Sequence, residues 1–403
     1  MSADIITRIR QHFPQIASRM DMLPSELAPG WLKRAAAQNI GLADFGPDFF
    51  EDALERLCLS ANTDANLNPL GRMILAQTII TMLENRALMQ NARSTHAAEL
   101  QSDLIAPIIV TGLPRTGTTA LHRLLASDPA HAALPYWQLN RPMPRGPDDS
   151  QDRRRAEVEE QIALRSKITP ELDGIHLIRA DVPEECMWVT ATSMHSRLFW
   201  NLAPVYGFME WYNTADRSEK YAEYAQWLHW FQAHYPGKRL VLKAPDHVDG
   251  LDALMRALPN AIIVQTHRAI DEQVASYLSL GRATRRLAVQ ALDPEREVGA
   301  VLALTESSIR RNLDDREKHQ GRIIDIRYDD LIADPIATVE RLYAQADLRL
   351  DAEARAALSR HQKTNRKGQH GGHSYGLSEF GLTSEGLRTR FAGYENRFGL
   401  ATT

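Results

Sequence analysis

Ile108-Ile109-Val110-Thr111-Gly112-Leu113-Pro114-Arg115-Thr116-Gly117-Thr118-Thr119 is the stretch on which the reading of this chain turns. Three β-branched apolar residues follow Ala106-Pro107 and end in Thr111-Gly112, and a helical pattern opens at Thr118. This is a strand, a glycine-containing loop and a helix. The glycines let the backbone curl, so that amide N–H groups and the positive end of the helix converge on an anion. A phosphate site is the natural consequence. A nucleotide-hydrolysing loop needs Lys and then Ser/Thr after its last glycine, whereas Gly117 is followed by Thr118-Thr119. The cation here is Arg115, two positions before Gly117.

Three more strand-and-helix units follow: Leu240-Val241-Leu242 with a helix over 248–258, Ala261-Ile262-Ile263-Val264 with a helix over 270–280, and Ile323-Ile324-Asp325-Ile326 with a helix after Asp334-Pro335. Such alternation implies an α/β fold, a parallel central sheet flanked by helices and related to the P-loop nucleotide-binding folds, with ligands at the carboxyl ends of the strands. Residues 1–104 read as an N-terminal helical segment packed on the core, and 105–403 as the α/β domain. The best N-terminal helix runs from Gly71 to Gln90, where Ile74, Leu75, Ile79, Met82 and Leu83 form a stripe near helical period. That stripe reads as core or as a dimer interface, which leaves room for a homodimer. The insertion at about 131–239, rich in Trp and Tyr, reads as a helical cap over the strand ends, with a mobile loop across the Pro, Arg and Asp residues of 141–155.

The chain has 403 residues and a formal charge of −4, so no global basic field exists to hold nucleic acid or an anionic membrane. A highly charged ligand must be met by a local pocket. Cys58 and Cys186 lack metal-ligand spacing, and their scarcity suits a reducing compartment. The N-terminus does not read as a secretory signal, no run approaches a membrane span, and no metal site is expected; the expectation is a cytoplasmic protein.

Further motifs match the loop. The third strand runs into Gln265-Thr266-His267-Arg268, with Ser276 eight residues on; Arg366-Lys367-Gly368 stands near the C-terminus; Tyr328-Asp329-Asp330 follows the fourth strand. A guanidinium fork and a hydroxyl at this spacing can face one anion. Together these segments resemble the sulfotransferases that use 3′-phosphoadenosine 5′-phosphosulfate (PAPS), and most of all their bacterial branch, which also shows segments like Pro183-Glu184-Glu185-Cys186, Leu242-Lys243-Ala244-Pro245 with His247, and Tyr375 to Leu382.

The resemblance implies PAPS as donor, adenosine 3′,5′-bisphosphate (PAP) as product, and a small-molecule, lipid or sugar hydroxyl as acceptor. It places Gly112, Pro114, Arg115, Thr116, Gly117, Thr118 and Thr119 at the 5′-phosphosulfate. Arg268, Ser276, Arg366, Lys367 and Gly368 fall at the 3′-phosphate, and Tyr328 near the adenine. Ala120 stands where many members carry an adenine-stacking Trp. Sulfuryl transfer calls for in-line positioning, for cations at the leaving oxygen, and for a base near the acceptor. Arg115 and Lys243 are the candidate cations, and His247, Glu184 and Glu185 compete for the role of base. A P-loop kinase or NTPase, and a non-catalytic adenylate-binding protein, are the alternative readings.

Overall fold

The computed structural model describes residues 2–170, 178–364 and 376–400. Five parallel strands form one sheet: β1 (Ile108–Gly112), β2 (His131–Ala133), β3 (Arg239–Lys243), β4 (Ile262–His267) and β5 (Ile323–Arg327), in the order β2-β3-β1-β4-β5. Every residue of β1 is buried, as expected of a central strand covered on both faces. Strand order reverses around β1, since β3 lies on one side of it and β4 on the other. That switch point opens a crevice beyond the carboxyl ends of the strands.

β2 was not foreseen. It is three residues long, His-Ala-Ala, and pairs through His131, Ala132 and Ala133 with the first half of β3. No β-branched residue marks it. Among the described residues the rest of the insertion is mainly helical, with its longest helices at Gln151–Ile168 and Ser218–His234. The irregular stretch expected over 141–155 ends earlier, at Ser150, whose side chain caps the helix by accepting from Arg153 N. Arg145 is tied to Asp149 and Glu157.

The helix read as 71–90 spans Pro69–Thr95, with Asn68 as its N-cap accepting from Gly71 N at 2.8 Å. Leu75, Ile79, Met82 and Leu83 are fully buried. They join the same apolar cluster as Ile109 of β1 and Leu242 of β3, so the N-terminal helices share their core with the sheet. Gly71 sets this approach: a Cβ there would sit 1.9 Å from the carbonyl oxygen of Ala288, at the end of the Ile270–Ala288 helix.

Candidate active site

The loop after β1 is tightly curled. Gly117 has φ +94, and a Cβ on it would lie 2.8 Å from the Tyr328 ring; Gly112 has φ +150, and a Cβ there would meet the Thr266 carbonyl oxygen at 2.5 Å. Arg115 is also left-handed, at φ 72, a conformation that costs an ordinary residue about 1–2 kcal/mol. It is held by its surroundings: Arg268 Nη1 donates to the Arg115 carbonyl at 3.3 Å, Arg115 Nε donates to Ser276 Oγ at 2.9 Å, and Gln273 Nε2 donates to the Pro114 carbonyl at 2.9 Å. The first turn of the Thr118–Leu125 helix continues from this loop, and its amides have no partners within the helix.

Loop residues Pro114, Arg115, Gly117, Thr118 and Thr119 line a cavity of about 1560 Å³, as do Arg268 and Tyr328. Thr116 differs. Its hydroxyl donates to the Leu113 carbonyl at 2.7 Å and lies 2.7 Å from Thr266 Oγ1, so its side chain ties the loop to β4. The Arg268 guanidinium lies over the Tyr328 ring, 4.3 Å from its centroid, and its Nε donates to Glu272 at 2.8 Å. Lys363 reaches the same cavity at the end of the Ala352–Thr364 helix. Arg366, Lys367 and Gly368 lie outside the described residues, as does Tyr375.

On the far side of β1, the segment Pro183–Cys186 is fastened to the end of β3. Glu184 N donates to the Leu134 carbonyl at 3.2 Å, and Cys186 N donates to the Lys243 carbonyl at 2.9 Å. Glu185 is thereby set over Lys243, whose Nζ donates to Glu185 Oε1 at 2.7 Å. Lys243 is 1% exposed, while Glu184 and Glu185 both line the cavity.

His247 is placed elsewhere. It is fully buried, with Nε2 at 3.2 Å from Cys186 Sγ and Nδ1 at 3.2 Å from the Tyr221 hydroxyl, and it does not line the cavity. Burial pushes its pKa down to about 3, and Lys220 adds to the effect. Its neighbour Asp246 accepts from Lys220 Nζ at 2.8 Å and from the Tyr212 hydroxyl at 2.6 Å, while Asp249 accepts from Arg197 at 2.7 Å. This buried ionic cluster fixes the turn after β3 and faces the ring of His247 into the protein.

The remaining cavity wall is mainly apolar and is built from two helices, by residues to which sequence reading assigned no part of the site. The Pro69–Thr95 helix offers Leu70, Met73 and Ile74 and then Gln77, Thr81 and Glu84; the Ile270–Ala288 helix offers Tyr277, Leu280, Gly281, Thr284 and Leu287. Among the cap aromatics Trp137, Trp188, Trp200, Tyr206, Trp211 and Tyr212, it is Trp188 that lines the cavity; the others pack within the protein. The signal that could have found this wall is the run of polar residues at helical spacing between apolar ones.

This crevice, with an anion loop and a distal arginine at one end and a carboxylate–ammonium pair beside an apolar chamber, agrees with the comparisons. A family model described as "Sulfotransferase family" matches residues 107–352, and the chain belongs to that family. Among solved structures it is similar to sulfotransferase STF1 from Mycobacterium tuberculosis, with 32% identity, 92% of this chain and 99% of that chain covered, and a TM-score of 0.81. Sulfotransferase STF9 from Mycobacterium avium matches with 25% identity over 93% of this chain and 97% of that chain, also at a TM-score of 0.81. No curated protein matches significantly by sequence. The protein is an enzyme of the sulfotransferase type, which transfers a sulfuryl group. No helix among the described residues is long and apolar enough to cross a membrane.

Proposed function

We propose that the enzyme takes its sulfuryl group from PAPS and passes it by in-line displacement to a hydroxyl presented at Glu185. The observation that carries this reading is that Arg115, Arg268 and Glu185 all open on one cavity. Arg115 and the amides at the start of the Thr118–Leu125 helix meet the 5′-phosphosulfate, and Arg268 with Ser276 meets the 3′-phosphate. Arg366 and Lys367, outside the described residues, are the further cations that the family resemblance assigns to this phosphate, with Gly368 beside them in sequence. The donor is polyanionic, and the loop replaces the lysine of an NTP-hydrolysing site with Thr118.

Glu185 is the proposed base. As the acceptor oxygen bonds to sulfur, the bond from sulfur to the 5′-phosphate oxygen breaks, the acceptor proton passes to Glu185, and the leaving phosphate keeps the electron pair beside Arg115. Lys243, sealed behind Glu185, orients the carboxylate that receives the proton. The apolar wall supports an acceptor hydroxyl carried on a hydrophobic body. Calorimetry with PAP and ATP, beside sulfate transfer from labelled PAPS to a panel of hydrophobic alcohols and phenols, tests the reading. Tighter ATP binding, or no transfer to any member of the panel, would overturn it.

A further inference from the structure

Next to Glu184 the cavity wall changes character within one helical turn. Tyr136 opens the Tyr136–Asn140 helix and meets Trp188 edge-on, with ring centroids 5.2 Å apart. At the other end of that helix, roughly 6 Å on at 1.5 Å per residue, Asn140 and Arg141 line the cavity together with Asn39 and Glu84. Glu84 accepts from Asn39 Nδ2 at 2.6 Å and from Arg141 Nη1 at 3.4 Å. Asn140 is 6% exposed, its Nδ2 lies 3.4 Å from the Tyr136 hydroxyl, and its Oδ1 has no hydrogen-bond partner.

A buried ion pair and an incompletely satisfied amide are costly lining for a chamber that only had to hold hydrocarbon. Glu84 and Arg141 balance each other in charge, so the cluster suits a neutral group that both donates and accepts hydrogen bonds. Elsewhere the wall is mainly apolar: from Tyr277 to Ala288 the Ile270–Ala288 helix runs roughly 16 Å, past Leu280, Gly281 and Leu287, and the Thr284 hydroxyl is turned back onto the Leu280 and Gly281 carbonyls.

We propose that the acceptor is an amphiphile with a neutral, polyhydroxylated head and a long apolar tail. One head hydroxyl meets Glu185, a second is held by the Asn39, Glu84, Asn140 and Arg141 cluster, and the tail lies along the Ile270–Ala288 helix. The proposal rests on the assignment of Glu185 to the reacting centre.

Octyl glucoside, octanol and glucose are the probes, used with the full-length protein below the micelle concentration of the glucoside. In calorimetry without donor, octyl glucoside binds about 10-fold more tightly than octanol, the factor expected from one or two added hydrogen bonds, and glucose binds weakly. With PAPS, kcat/KM follows the same order. Asn140→Leu and Glu84→Gln bring octyl glucoside down to the level of octanol, whereas Thr284→Trp weakens both octyl compounds and leaves PAP affinity unchanged. Octanol binding as tightly as octyl glucoside, or a preference retained in both head-cluster variants, overturns the proposal. Because acceptor binding is read without donor, that failure is separate from a failure to bind PAP, which would strike the donor site instead.

Discussion

Lys243 donates to Glu185 at 2.7 Å, and of the two it is Glu185 that reaches the cavity while Lys243 is sealed at the end of β3. Under the proposed reading the pair presents a carboxylate to an incoming hydroxyl. Glu185→Gln is expected to lower kcat by about 10²-fold or more, a typical general-base contribution, with PAP affinity nearly unchanged. His247→Gln is expected to keep kcat within a few-fold and to lower Tm instead. Steady-state kinetics with a saturating acceptor beside thermal unfolding separates the two, and a collapse of kcat in His247→Gln alone would return the base to the histidine.

Arg268 stands at the other end of the crevice, over the ring of Tyr328. A contact to the remote phosphate is similar in ground and transition states, so its loss is felt in binding. Arg268→Ala is expected to weaken PAP by roughly 10- to 150-fold, the range for hydrogen bonds to charged groups, while kcat at saturating donor changes little. Calorimetry of the variant checks this, and unchanged PAP affinity would displace the 3′-phosphate from this strand end.

Gly117→Ala is expected to abolish donor binding while leaving the fold in place. The substitution combines a left-handed backbone at φ +94 with a Cβ 2.8 Å from the Tyr328 ring. Circular dichroism and PAP titration on the same sample decide it; native PAP affinity in the variant would show that the loop tolerates relaxation.

Turnover is expected to persist in excess EDTA. Under the proposed reading Arg115 brings a fixed cation to the leaving group and Lys243 holds the base in place from beneath, so the role a divalent ion fills in NTP hydrolysis is already taken. Loss of activity in EDTA that Mg²⁺ restores would contradict the assignment of those cations.

Stability is expected to fall on the acid side, and earlier than carboxylate protonation alone would produce. Burial pushes His122 and His247 down to about 3 and His195 to about 4. These rings are neutral in the fold, whereas the unfolded chain protonates them near pH 6.5. The stability they contribute is complete above about pH 6.5 and is lost as pH falls toward the folded values. Below about pH 3.8 a second loss begins: burial alone would raise Asp246, but Lys220 and Arg197 outweigh it and hold the carboxyl below the usual range. Tm measured from pH 7.5 to 4 should decline, with a shallower slope in His247→Gln. A flat profile would mean that these rings protonate freely in the fold.

The sheet was legible because β1, β3, β4 and β5 are apolar runs followed by glycine, proline or a helical period, and the anion loop because its chemistry is local in sequence. β2 was hidden because three residues without β-branching carry no pattern. His247, a candidate base by sequence, lies off the cavity for a different reason. Its place after a strand end resembles an active-site histidine, yet side-chain direction is set by Lys220, Arg197 and Arg217 gathering Asp246 and Asp249, contacts that come from distant parts of the chain. In the Pro69–Thr95 helix the apolar stripe, read as core or as a dimer interface, is core at Leu75, Ile79, Met82 and Leu83, while Ile74 lines the cavity. The polar positions between were given no role, since Gln77, Thr81 and Glu84 look the same in sequence whether they face water or an internal chamber.

That helix carries a consequence for how such an enzyme diversifies. The residues proposed to meet the sulfuryl donor lie on the sheet and its loops, while Leu70, Met73, Ile74 and Glu84, which line another part of the cavity, belong to a stretch of chain that ends before β1 begins. Substitutions in this early stretch can redraw the outline of the molecule accepted without disturbing the machinery that delivers the sulfuryl group. Part of the selectivity is thus carried on a length of chain separate from the chemistry, where it can drift at its own rate.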